Sequence, residues 1–147
     1  MNFSIRARHQ SRKFLIQALY QWEMTHENPE EILVQFLSEM SPKKNDIPYF
    51  QEIFLGLLKE KNAIDALYHP FLKHDKTLIV GPIEKSLLRL GTYELKHRLD
   101  LPYKVVLNEC IELSKTFAPD NAYQYINGVL DKLIPSLRPI EYKDNSQ

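Results

Sequence analysis

Apolar residues in this chain recur three and four positions apart almost from end to end, the spacing of helices that each bury one face. Leu15, Ala18, Leu19 and Trp22 form the first such stripe. Asn28-Pro29-Glu30-Glu31 then gives a capping residue, a proline suited to the first helical position and a glutamate at the capping-box position. Ile32, Leu33, Phe36, Leu37 and Met40 follow as an inward face, and after the polar linker "SPKKN" Asp46 opens a third helix carrying Phe50, Ile53, Phe54, Leu57 and Leu58. A shorter helix uses Ile64, Leu67, Tyr68, Phe71 and Leu72, with Pro70 set to bend or end it.

"VGPIEK" punctuates the chain near Gly81. A fifth helix is predicted from about Ile83 to Arg98, with Leu87, Leu90, Gly91 and Leu95 on one face. "LDLP" is the next break, and a sixth helix spans roughly Tyr103 to Phe117. "APDN" ends it and lets Asp120 or Asn121 cap a last helix that buries Ala122, Ile126, Val129, Leu130 and Leu133. Pro135 and Pro139 are expected to close the ordered part, leaving residues 141–147, "EYKDNSQ", as a flexible tail. The predicted fold is all-α: about seven helices in one domain over residues 1–140, forming two small bundles packed together.

Composition changes this picture little. Hydrophobic residues are 44% and charged residues 26% of 147, ordinary globular values. Lys+Arg and Asp+Glu both number 19, so no strongly basic nucleic-acid binder is indicated. The neutral total hides a local bias. Residues 1–22 carry Arg6, Arg8, Arg12 and Lys13 and no carboxylate, so any electrostatic footprint is a patch. Cys110 is the only cysteine and falls at a core spacing, which excludes an internal disulfide and a CxxC metal site. No apolar run approaches ~18 residues and no signal-peptide pattern opens the sequence, so a soluble, cytoplasmic protein is expected.

At ~100° per residue, Arg6, His9, Lys13, Gln17 and Tyr20 fall on the side of the first helix opposite its core stripe, flanked by Arg8 and Arg12. Cations neutralise phosphates, glutamine reads base edges and a tyrosine ring stacks an unpaired base, a mixture suited to single-stranded nucleic acid. A plain solvated helix face is the competing reading. The last helix offers a second candidate surface near its start, with Asn121, Tyr123, Gln124 and Tyr125 beside free backbone N–H groups. Gly128 lies inside that helix, where close backbone packing is the expected reason, and Asn127 is placed to bond Asn108 or Glu109.

Signs of catalysis are weak. Glu94, Glu109 and Glu112 read as solvated or salt-bridged rather than as an acid–base pair. The five histidines show no ligand spacing, and His74-Asp75 reads as a solvated loop. No P-loop, GxGxxG or nucleophile elbow is present, so no enzyme, no metal, no cofactor and no small-molecule substrate are expected.

"RKFLIQALYQWE", "VGPIEKSLLRLGTYEL", "LPYKVVLNECIELSKTF" and "YINGVLDKL" are similar, in order and spacing, to the NusB family of transcription antitermination factors, from about Arg6 to Pro139. The resemblance implies an all-α fold of two packed three-helix subdomains, at about 1–75 and 76–140, and binding of single-stranded boxA RNA in ribosomal RNA transcripts. It also implies a heterodimer with the ribosomal protein NusE and loading onto an RNA polymerase antitermination complex. By position it maps an arginine-rich RNA surface onto Arg8, His9, Gln10 and Arg12, and puts Gln17 and Tyr20 on the same face. It adds Asn121, where an acid is frequent, Gln124, where lysine is common, and Tyr125, an aromatic contact position. Glu84 falls in the region that meets NusE. The two surfaces are thereby expected to be the two halves of one RNA groove. NusB-like domains also occur fused to RNA cytosine methyltransferases, but 147 residues leave no room for a cofactor domain, so catalysis in cis is not expected. The rival reading is a helical protein-binding adaptor whose basic face is a generic polyanion patch. Monomer and homodimer both remain open.

Overall fold

Residues 4–72 and 80–145 are described by a computed structural model, so the His74-Asp75 loop lies outside the described residues. Among these residues there are eight α-helices, one short 3-10 turn and no strand, in two compact units, 1–60 and 61–147.

The first unit contains α1 (Ile5–Thr25), α2 (Pro29–Leu37) and α3 (Ile47–Lys59), each packed on the other two. Each helix starts where a short polar side chain accepts an orphan backbone N–H. Ser4 Oγ takes Ala7 N–H at 3.0 Å, Asn28 Oδ1 takes Glu30 N–H at 2.9 Å, and Asp46 Oδ1 takes Tyr49 N–H at 3.2 Å. α1 stops at His26, in the left-handed region at φ 54°, whose N–H closes on the Trp22 carbonyl. Trp22 itself is half-buried and meets the His26 ring at 4.6 Å between centroids, tilted by 42°. The core is Leu15, Ile16 and Leu19 against Ile32, Phe36, Phe50, Ile53 and Phe54. Phe50 and Phe54 stack at 5.9 Å, and full burial of each ring contributes ~1.5–3 kcal/mol.

The second unit is built round α5 (Pro82–His97), buried at every residue from Ser86 to Leu95. α6 (Tyr103–Phe117) and α7 (Ala122–Leu137) pack on α5 and on each other, and α4 (Lys61–Tyr68) packs on α5 and α7. That packing places α4 with the second unit, so the division falls before Lys61 rather than at about residue 75. Pro70 ends α4 in the 3-10 turn His69–Phe71. Gly91 is the close-packing glycine: a Cβ there would lie 2.7 Å from Leu130 Cδ1 and 3.0 Å from Cys110 Sγ. Gly128 is not, because a Cβ there meets nothing within 4 Å. Gly128→Ala is therefore expected to raise the unfolding free energy by about 1 kcal/mol in urea melts, the helix-propensity difference alone.

Arg89 is 3% exposed, and the two oxygens of Asp65 accept its Nε and Nη2 at 2.9 and 3.1 Å. Tyr68 donates to the same carboxylate at 2.7 Å. Burial pushes the Asp65 carboxyl upward, but the bonds from Arg89 and Tyr68 and the charges of Arg89 and Lys61 outweigh it and hold it below its ordinary value. A carboxyl lowered on folding stabilises above its unfolded pKa, about 3.9, and loses that contribution as pH falls through the folded value. Urea melts at stepped pH should register this loss, and Asp65→Asn should abolish it while costing about 3 kcal/mol at pH 7.

The C-terminal segment departs from expectation. Pro135 lies inside α7, and Pro139 begins a further helix, α8 (Pro139–Asn145), so residues 141–145 are helical rather than a frayed tail. Arg138, 4% exposed, is the reason. Its guanidinium donates to the carbonyls of Leu95 (2.7 Å), Leu101 (2.8 Å), Arg98 (2.9 Å) and Glu94 (3.2 Å) and to Glu141 Oε1 (2.7 Å). Glu141 in turn accepts Tyr103 N–H at 2.8 Å, which ties the start of α8 to the start of α6.

Candidate nucleic-acid interface

Along the outward side of α1, Arg6, Gln17 and Tyr20 are exposed, and His9, Gln10 and Lys13 are half-buried. Gln17 donates to the Lys13 carbonyl at 3.3 Å, which lays its amide along the row. Tyr20 is 37% exposed, enough for one ring face to receive a base.

The flanking arginines are placed differently from one another. Arg8 is held by Asp46 at 3.1 Å and lies 4.4 Å over the Tyr49 ring, with 27% of its side chain exposed. Arg12, expected among the surface cations, is 2% exposed. Its guanidinium is 5.3 Å from the Tyr49 ring centroid, and Nη2 approaches the Tyr49 hydroxyl at 3.5 Å. The cause is the docking of α3. Ser11 Oγ accepts Asp46 N–H at 2.7 Å and bonds the Asp46 carbonyl at 3.2 Å, which brings Tyr49 down onto both arginines. Arg12 is thus part of the support beneath Arg8 rather than a surface phosphate ligand. Of the two residues that set this arrangement, Asp46 is legible in the sequence only as the start of a helix, and Tyr49 carries no signal there.

In the second unit Asn121, Gln124 and Tyr125 come together at the start of α7. Asn121 occupies the left-handed region at φ 73°, and its side chain makes no capping bond, contrary to expectation. This geometry leaves its amide exposed. Gln124 is exposed and donates to the Tyr123 hydroxyl at 3.4 Å, and Lys115 of α6 places its ammonium 5.1 Å over the Tyr123 ring. Lys115 therefore brings to this surface a cation that the first two turns of α7 lack. Tyr125 is half-buried; its hydroxyl is buried and has no hydrogen-bond partner among the described residues, so any stacking uses the ring rather than the oxygen. Glu84 stands in the first turn of α5, a favourable place for a negative charge, with its carboxylate folded over Gly81.

The arrangement offers hydrogen-bond donors, cations and two aromatic rings, and among the described residues no group of three or more His, Cys, Asp or Glu that could hold a metal. No helix among them is long and apolar enough to cross a membrane. Comparison with known proteins decides the family, since residues 9–135 match the NusB family. The chain belongs to the NusB family. It is 44% identical over 130 residues to the transcription antitermination protein NusB of Haemophilus ducreyi, covering 88% of this chain and 94% of that one. It is 40% identical over 133 residues to that of Sodalis glossinidius, covering 90% and 95%. The fold matches a solved structure of the antitermination factors NusB and NusE in complex with double-stranded RNA. The TM-score is 0.79 at 26% identity, over 90% of this chain and 99% of that one. The family match covers α1 from His9 onward, α5, α6 and most of α7, so the α7 surface and the α1 row from His9 to Tyr20 of this NusB-family chain lie inside it, with Arg6 and Arg8 just before its start.

Proposed function

We propose that this chain is a transcription antitermination factor that binds the boxA RNA of ribosomal RNA transcripts together with NusE, and so supports efficient transcription of ribosomal RNA genes. It acts in the cytoplasm, as part of the antitermination complex on RNA polymerase, and by binding without chemistry. The observation that carries this reading is the carboxylate-free outward row of α1, Arg6, His9, Lys13, Gln17 and Tyr20, in a chain whose net charge is zero. Arg6, Lys13 and the exposed part of Arg8 neutralise phosphates, His9 and Gln17 bond base edges or sugars, and Tyr20 stacks a base. Arg12 holds Tyr49 and thereby the angle of Arg8. Asn121, Gln124 and the Tyr125 ring supply the second RNA surface. Glu84 contacts NusE, whose added surface slows dissociation.

Few charges are available, so the chain alone binds RNA weakly and with marked salt dependence. The test is fluorescence anisotropy with labelled boxA RNA, a scrambled RNA of equal length and the boxA duplex, at two salt concentrations, with and without NusE. Tighter binding of single-stranded boxA, strengthened by NusE and weakened by salt, is expected. Equal binding of boxA and scrambled RNA under every condition would leave a protein adaptor with a generic polyanion patch.

A further inference from the structure

Beside the outward row of α1 the first unit contains a groove that this row does not explain. It has a volume of about 710 Å³ and runs between the first turns of α1 and the turn joining α2 to α3. Arg6, Gln10 and Phe14 line one wall, and Ser41, Lys43 and Lys44 line the other. Three cations face one carboxylate, Glu39. Lys43 and Lys44 are exposed, and Phe14 is half-buried with its ring edge-on to Phe36 at 6.3 Å.

The lysine wall is a fixed structure. Lys43 N–H donates to Ser41 Oγ at 3.3 Å, and the N–H groups of Lys44 and Asn45 both reach the Ser41 carbonyl, at 3.0 and 2.8 Å. Asn45 is 4% exposed, and its side chain accepts Ser41 N–H at 2.9 Å. The next residue, Asp46, is fastened to Ser11 and Arg8 of α1. Two ammonium groups are therefore carried on a closed turn whose base is bolted to the helix that bears the RNA-facing row, and Arg6 belongs to both the row and the groove.

We propose that this groove continues the RNA path: it receives the backbone of single-stranded nucleotides flanking boxA, with Lys43 and Lys44 neutralising their phosphates and Phe14 meeting a base. The inference rests on the RNA-binding reading of α1. Continuity through Arg6, net positive charge and an accessible ring at the wall are what a single strand requires. Neither lysine belongs to the helix-one row or to the α7 surface, and the groove extends the footprint to a third segment of the chain.

The experiment compares a minimal boxA RNA with the same RNA extended by a few nucleotides at its 5′ or its 3′ end, using the whole chain with NusE and the Lys43→Gln/Lys44→Gln variant. Two single-strand phosphate contacts, each contributing a slope of ~0.7 in log K against log salt, amount to about 25-fold at 0.1 M salt. The wild type should gain affinity up to this amount from one of the two extensions. The variant should lose that gain and keep its affinity for minimal boxA within about twofold. Both positions are exposed, so circular dichroism of the variant should match the wild type. No gain from either extension, or a gain that survives in the variant, overturns the proposal. So does a variant whose only defect is weaker tightening by NusE, which would assign the groove to a protein. Failure of the wild type to prefer minimal boxA over its scrambled control is a separate result and removes the underlying RNA reading instead.

Discussion

Arg138→Met is expected to lower the unfolding free energy by about 4 kcal/mol. The guanidinium is 4% exposed and supplies donors to four backbone carbonyls and to Glu141. Three of those carbonyls, of Glu94, Leu95 and Arg98, lie at the C-terminal end of α5, where helical carbonyls have no N–H of their own helix to accept. Each buried acceptor left without a donor costs ~1–3 kcal/mol. Glu94 and Arg98 keep other backbone donors, which holds the total below the simple sum. Methionine retains the apolar stem, so the loss reports the hydrogen bonds. Lysine retains the charge but has three donors in place of the arginine fork, and Arg138→Lys should recover less than half of the loss. Urea melts of the two variants make the measurement. A loss under about 1 kcal/mol would mean that water replaces the guanidinium.

Arg6→Gln/Lys13→Gln is expected to weaken boxA binding about 25-fold at 0.1 M salt, with little effect on folding. Arg6 is exposed and Lys13 half-buried, both on the outward side of α1. If each neutralises one phosphate of a single strand, each removes ~0.7 from the slope of log K against log salt. The variant's slope should then be shallower by about 1.4, and the two affinities should converge as salt approaches 1 M. Parallel salt plots would show that the lost affinity does not come from counterion release, and the two side chains would leave the phosphate-binding set. Arg12 gives the contrast. Placed beneath Tyr49, its replacement should disturb Arg8 and the α1–α3 contact, and so reduce stability along with binding.

What the sequence made legible follows from how local each determinant is. α6 was placed at Tyr103 to Phe117 and is found there, because its stop signals, "LDLP" and "AP", lie beside it in the chain. The caps Asn28 and Asp46 act over two or three residues and were readable for the same reason. The burial of Arg12 is not legible, because Tyr49, which lies against it, is 37 residues away. The helical state of residues 141–145 is hidden for the same reason: the bonds that stabilise α8 run from Arg138 to carbonyls about 40 residues earlier. Gly91 lies on the inward face where the pattern puts it, but Gly128 is open, since which helical glycine another helix approaches closely is a property of the packed helices, and the 3.6-residue pattern is indifferent to it. On the candidate RNA surface, the exposed row of α1 was visible as periodicity. Lys115 and the lysine turn were not, because they reach their surfaces through folding.

Cys110 gives the second unit a built-in clock. It is the only thiol of the chain, 1% exposed, with its sulfur against Gly91, and the first unit has none. A thiol reagent in excess can modify it only when the α5–α6 contact opens, so the labelling rate follows that opening event and is blind to fraying of α1 to α3. Slower labelling on adding RNA would reveal that a ligand held partly by the first unit also restrains the second, with no fluorophore attached and no residue changed.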